Sequence, residues 1–145
     1  MEKFPDCDHV LKSLKSLDYK IGVISNFDDR LETILNNLDL LKYFSFVLIP
    51  NNCNGLSKPN KDIFLKAFKL SGLKNPNEYL HIGDSYELDI KPATNLNFKA
   101  ILMRHNGSNE THTMNENKND EYNFIIKNNL DATNLNDLLN KINKL

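Results

Sequence analysis

Two carboxylates five residues apart, Asp84 and Asp89, follow an apolar run that closes on a glycine: His81-Ile82-Gly83-Asp84-Ser85-Tyr86-Glu87-Leu88-Asp89. An apolar run ending in Gly-Asp predicts a buried strand with Asp84 at its carboxyl end, where open α/β sheets build their sites. Gly83 lets the chain turn and lets another group approach the backbone. Asp89 then falls in the first turn of the next element and can face the same pocket. Two hard oxygen ligands on a short tether suit Mg²⁺, which takes one or two carboxylates and leaves its other positions to water and phosphate. By itself the string serves equally well as a helix N-cap.

Two earlier segments supply what a phosphoryl group needs. Ile21-Gly22-Val23-Ile24-Ser25-Asn26 is a short apolar strand ending in a hydroxyl and an amide. Ser57-Lys58-Pro59-Asn60 places a lysine just ahead of a helix start. In chain order these are a strand-end hydroxyl donor at Ser25, a cation at Lys58 and a metal site at Asp84 and Asp89. Asn26 is a further phosphate-binding candidate through its backbone N–H. Ser25 also fits a helix cap, and Lys58 a solvated surface lysine. His81 is out of phase with Leu80 and Ile82 and reads as a packed histidine under a helix. Ser85 and Tyr86 read as shaping the turn after Asp84.

The order Val23-Ile24-Ser25-Asn26, Ser57-Lys58-Pro59 and Gly83-Asp84-Ser85 with Asp89 resembles motifs two, three and four of the haloacid dehalogenase-like hydrolases. The wording Val-Ile-Ser-Asn-Phe-Asp-x-Arg, at residues 23–30, is similar to one branch of that family. The resemblance spans residues 5–103, about two thirds of the chain. It implies a three-layer, Rossmann-like α/β fold, a parallel sheet with helices on both faces. It implies a Mg²⁺-dependent reaction in which an Asp carboxylate attacks a phosphoryl group and water then hydrolyses the acyl-phosphate. Lys58 is then the catalytic cation that neutralises phosphate and nucleophile.

In that family, motif one is an apolar strand ending in Asp-x-Asp, at the centre of the sheet, and this sequence has no such strand. Asp6-Cys7-Asp8 has the spacing but follows Met-Glu-Lys-Phe-Pro and leads into a helix, where Asp8 makes a good N-cap for His9 onward. The resemblance therefore predicts the carboxyl-terminal core of a phosphatase-type hydrolase. It lacks its central motif-one strand, holds an incomplete Mg²⁺ site and is inactive alone. The alternative is a non-catalytic phosphate- or metal-binding module on a degenerate fold of the same kind.

Composition bounds the partners. The 145 residues make one ordinary domain, and the net charge of −1 implies no general attraction to nucleic acid or an anionic membrane. The sequence has no run of 18 apolar residues and its start is no signal peptide, so a cytoplasmic location is expected. Cys7 and Cys53 lack metal spacing and read as free thiols. The expected ligand is a small phosphorylated metabolite, and unpaired strands are expected to favour self-association. Asn occurs 23 times, which makes loops hard to tell from low-complexity tracts. The Asn-x-Ser/Thr strings at Asn106 and Asn109 are read as chance.

Periodicity then places the elements. Residues 8–17 carry Val10, Leu11, Leu14 and Leu17 at helical spacing. Residues 20–25 form a strand, and Phe27-Asp28-Asp29 opens a helix with Leu31, Ile34, Leu35 and Leu38. Residues 43–49 read as a strand and 50–57 as a loop. Pro59-Asn60 starts a helix with Ile63, Phe64, Ala67, Phe68 and Leu70, capped by Gly72. Residues 79–83 form a strand, 88–95 a short helix and 98–103 a strand. This alternation predicts a parallel sheet. Residues 1–103 are taken as the partial core. Residues 104–122 form an Asn-rich loop, predicted disordered, in which His105 and His112 lack metal spacing. Residues 123–145 return with a short strand at 123–126 and a helix capped by Thr133 or Asn134.

Overall fold

The computed structural model describes Lys3, residues 6–104 and residues 131–144. The expected loop at 105–122, with His105, His112, Asn106 and Asn109, and the expected strand at 123–126 lie outside these residues.

In chain order the elements are α1 (Cys7–Ser16), β1 (Gly22–Ile24), α2 (Arg30–Asn37), β2 (Phe46–Leu48), α3 (Lys61–Ser71), β3 (Leu80–Gly83), α4 (Lys91–Asn95), β4 (Lys99–Met103), β5 (Asp131–Ala132) and α5 (Leu135–Ile142). The five strands among the described residues pair in parallel, as expected for alternating strands and helices. They form two ladders, β1-β2 and β3-β4-β5. Val23 stands opposite Val47 in the first; His81 stands opposite Ala100 and Leu102 opposite Asp131 in the second.

Strand alternation divides the core. Successive side chains of β4 point to opposite faces. Ala100 and Leu102 join Ile63, Phe64 and Ala67 of α3 and Ala93 of α4, while Ile101 and Met103 join Val10 and Leu14 of α1 and Leu138 and Ile142 of α5. Helices therefore cover both faces. Ile63 and Phe64 are completely buried. Burying a side chain of that size stabilises by about 1.5–3 kcal/mol.

Local chemistry sets the ends. Asn60 caps α3 by accepting from the Asp62 N–H at 2.9 Å, and Gly72 ends it in the left-handed region at φ +76°. Asn134 caps α5 by accepting from Asp137 N–H at 2.8 Å. Asp8 does not cap α1. Asp6 holds the N-cap position without a side-chain bond, and Asp8 lies in the first turn. There its carboxylate is drawn to Lys3 Nζ at 2.5 Å and accepts from the Tyr43 hydroxyl at 3.4 Å.

Strand ends also differ from the periodicity. The strand expected at 43–49 is confined to residues 46–48, because Leu41–Tyr43 and Pro50–Asn52 wind into 3₁₀ turns. The helix expected at 88–95 begins earlier, as a π turn over Tyr86–Ile90 that runs into α4. The Ser85 carbonyl accepts from both Asp89 N–H and Ile90 N–H, at 2.9 and 3.4 Å, and its Oγ accepts from Leu88 N–H at 3.2 Å. Ser85 therefore shapes the turn after Asp84, as its position suggested.

Candidate functional site

The end of β1 is fixed by backbone bonding. Ser25 N–H donates to the Leu48 carbonyl at 2.9 Å, one step past the last ladder pair. Its hydroxyl then accepts from Phe27 N–H at 3.1 Å, which bends the chain out of the sheet towards α2. That bend leaves Asn26 exposed beyond the strand end. The following residues are braced by Arg30, which donates to both oxygens of Asp28 and lies 5.4 Å over the Phe27 ring.

Asn26 holds the lysine loop. Its Oδ1 accepts from Lys58 N–H at 2.7 Å, and its Nδ2 donates to the Lys58 carbonyl at 3.0 Å. The sequence reading gave Asn26 a role through its backbone N–H alone and missed this role of its side chain. An amide carries a donor and an acceptor side by side, so it can pair with both polar groups of one backbone residue. The Lys58–Pro59 peptide beside it is cis.

The lysine side chain turns towards the end of β3. Lys58 Nζ lies 2.5 Å from Asp89 Oδ1, with the lysine side chain 14% and the aspartate side chain 2% exposed. The same oxygen lies 2.9 Å from His81 Nε2, and Oδ2 accepts from Ser85 N–H at 3.2 Å. Burial pushes the Asp89 carboxyl up. The hydrogen bonds from His81 and Lys58 and their charges outweigh it, and the group ends below the usual carboxylate range.

Gly83 makes room for this arrangement. A Cβ at residue 83 would lie 2.1 Å from Asp89 Cγ. Its expected use, close approach of another group to the backbone, is therefore met by the Asp89 side chain itself. The π turn brings that side chain back beneath the strand it has just left.

His81 packs as its strand phase suggests. Leu80 and Ile82 face the α1 and α5 side, and His81 meets the Phe64 ring of α3 edge-on at 5.0 Å. Its bond to Asp89 is what the sequence reading missed. The available signal was a polar residue on the buried α3-facing side of a strand that runs directly into a carboxylate-bearing turn.

Asp84 is exposed one residue beyond β3 and, among the described residues, has no ion-pair partner. No group of three or more His, Cys, Asp or Glu side chains gathers as a metal cluster among the described residues. Oδ1 of Asp89 already takes two donors and Oδ2 one, which leaves a single Oδ2 lone pair on a buried side chain for a cation. Asp84 fits Mg²⁺ as one carboxylate, with water and phosphate oxygens needed for the other positions. Asp6 and Asp8 stand at the start of α1, where Asp6 accepts from Asn136 of α5 at 3.3 Å, and neither is hydrogen-bonded to Ser25, Asn26, Lys58 or Asp89. No helix among the described residues is long and apolar enough to cross a membrane.

Asn26 and Asp89 thus tie the lysine loop to the ends of β1 and β3, the strand ends that carry Ser25 and Asp84. A profile of the family described as haloacid dehalogenase-like hydrolase matches residues 2–97. Haloacid dehalogenase-like hydrolase domain-containing protein 3 of Danio rerio is 35% identical over 111 residues, covering 77% of this chain and 45% of that protein. Glyceraldehyde 3-phosphate phosphatase of Methanothermobacter thermautotrophicus is 31% identical over 139 residues, covering 95% of this chain and 56% of that protein. The chain thus spans about half the length of these relatives. Among solved structures, a HAD phosphatase from Thermococcus onnurineus superposes with a TM-score of 0.67 at 28% identity, covering 74% of this chain and 49% of that one. With residues 2–97 matched, the chain belongs to the haloacid dehalogenase-like hydrolase family.

Proposed function

We propose that these residues are the phosphate-holding half of a Mg²⁺-dependent phosphatase-type hydrolase acting on a small phosphorylated metabolite. Ser25 Oγ and the Asn26 backbone N–H donate to the phosphoryl oxygens. Lys58 supplies the positive charge, and Asp84 ligates the metal. Asp89 supports them from beneath by fixing Lys58 and the Ser85 backbone. The observation that carries this reading is the Lys58–Asp89 pair, which ties the lysine loop to the β3 end while Asn26 ties the same loop to the β1 end. A lysine held from two strand ends is oriented in advance, which lowers the ordering cost of binding an anion.

Bound Mg²⁺ would neutralise phosphoryl charge and orient its oxygens. Among the described residues at this site, no carboxylate is left over for attack once Asp84 is assigned to the metal. Asp89 is buried and engaged, and Asp6 and Asp8 belong to the α1 start. The chain is therefore proposed to bind phosphate without turning it over, the motif-one strand being lacking between β1 and β3. The separation of β1 and β3 into different ladders supports that part of the reading. The strand edges without a neighbour among the described residues are proposed to promote self-association.

The test is titration of the chain with inorganic phosphate and Mg²⁺, followed by assay on p-nitrophenyl phosphate. Binding that disappears in Lys58→Ala, with no turnover above buffer, is the expected result. Phosphate trapped on any aspartate would overturn the inactive half of the proposal. A second reading, a non-catalytic binding module, is favoured by Asp89, whose two oxygens both already accept protein donors. It predicts phosphate binding indifferent to Mg²⁺.

A further inference from the structure

We propose that His81 is a positioning residue for the Lys58 ammonium, acting through Asp89 by donating a hydrogen bond from Nε2. The inference deepens the phosphate-binding reading of Lys58 and rests on it.

The geometry leaves Nε2 one role. Asp89 Oδ1 faces both Lys58 Nζ and His81 Nε2. The carboxylate is ionised, so Oδ1 carries no proton to give. An unprotonated Nε2 would set its lone pair against an anionic oxygen at 2.9 Å. The ring therefore holds its proton on Nε2. It is also held in place: His81 is buried, and the completely buried Phe64 ring abuts it.

The other anchors of Asp89 are fewer than its burial suggests. Oδ2 has the Ser85 N–H at 3.2 Å, and Oδ1 has Lys58 and His81. Lysine ends a flexible four-carbon stem and cannot fix the carboxylate it depends on. Among these three donors, only the Ser85 N–H and the His81 ring are rigid. Without the ring donor, Asp89 can pivot about its bond to Ser85 and carry Lys58 with it. A histidine that merely fills space against Phe64 would leave Lys58 unaffected.

Two measurements on the full chain decide this. Long-range ¹H–¹⁵N spectra of the histidine side chains should show His81 protonated at Nε2 at neutral pH. A ring protonated only at Nδ1 would overturn the proposal, and this readout needs no variant. The second measurement is the acetylation rate of Lys58 relative to exposed Lys74, followed by mass spectrometry. His81→Phe keeps the packing against Phe64 and removes the donor. It should raise the relative rate about five-fold, the factor that one hydrogen bond of ~1 kcal/mol represents. His81→Gln restores a donor and should return the rate close to that of the wild type. A wild-type rate in a cooperatively folded His81→Phe chain would overturn the proposal. Should that variant not fold, the wild-type tautomer and the Gln variant still decide, since a Gln variant with the labelling of unprotected lysine would also overturn it. Protection of wild-type Lys58 by inorganic phosphate tests the binding reading separately. Without protection that reading falls, while the His81 ratio stands on its own.

Discussion

Asn26 pairs with both polar groups of the Lys58 backbone, across 32 residues of sequence and from the end of a different element. The β1 end and the lysine loop therefore move together. Asn26→Ala removes both bonds, and at about 0.5–1.5 kcal/mol for each bond it should destabilise the chain by roughly 1–3 kcal/mol. Phosphate binding should weaken by more than stability alone explains, because Lys58 loses its backbone anchor. Urea unfolding and phosphate titration of the same variant check this. Equal phosphate affinity in a less stable chain would show that the clamp serves folding only.

Gly83 and Asp89 exclude a side chain between them. A methyl group at residue 83 would overlap the Asp89 carboxyl, and nothing flexible can give way, since Asp89 is held by His81, Lys58 and Ser85. Gly83→Ala should cost about 1–3 kcal/mol, as overpacking of a filled core does. It should also expose Lys58 to labelling. A neutral Gly83→Ala in a denaturant titration would mean that the π turn relaxes freely.

The Asp89 carboxyl sits below its ordinary value of 3.8 in the folded chain, because the donors from His81 and Lys58 overcome burial. A depressed folded value stabilises the fold above the unfolded value and loses that stabilisation as pH falls through the folded one. Thermal unfolding should therefore drop as pH is lowered from about 4 downwards. Asp89→Asn should flatten that part of the curve while lowering stability at neutral pH. Removing one partner of a buried ion pair costs about 3–5 kcal/mol. An Asp89→Asn chain with the same acid profile as the wild type would assign the acid loss to other carboxylates.

Mg²⁺ should bind weakly to the chain alone, because Asp84 is a single exposed carboxylate and Asp89 is already engaged. Affinity should rise when phosphate is present and fall in Asp84→Asn under that condition. Calorimetry with and without phosphate reads both. A tight Mg²⁺ site that ignores phosphate would contradict the role assigned to Asp84.

Much of the framework is written in local pattern. Short, mostly apolar runs closing on Ser25 and Gly83 mark β1 and β3. The 3.6-residue spacing of Ile63, Phe64 and Ala67 marks α3, with Asn60 and Gly72 as its caps. These signals depend on neighbours a few residues apart, so the chain carries them without any tertiary context. The order of Ser25, Lys58 and Asp84 is equally legible, because strand ends and helix starts follow from the elements.

What the site residues do to one another is not local. Asp89 reads in sequence as part of the metal site, holding metal waters or a neighbouring backbone; folding shows it on the Ser85 backbone and adds His81 and Lys58, which the sequence does not announce. The cause is the π turn, whose extra residue swings Asp89 back under Gly83. Periodicity gives no notice of it, because Tyr86–Ile90 fits an α-helical pattern as well. Asp8 lost its expected cap role for a similar reason: Lys3 and Tyr43 lie within its reach only once the chain is folded. Short-range spacing determined which elements form and which residues stand at their ends. The pairing of buried charges waited on tertiary structure, because a buried carboxylate is stable only where distant donors meet it.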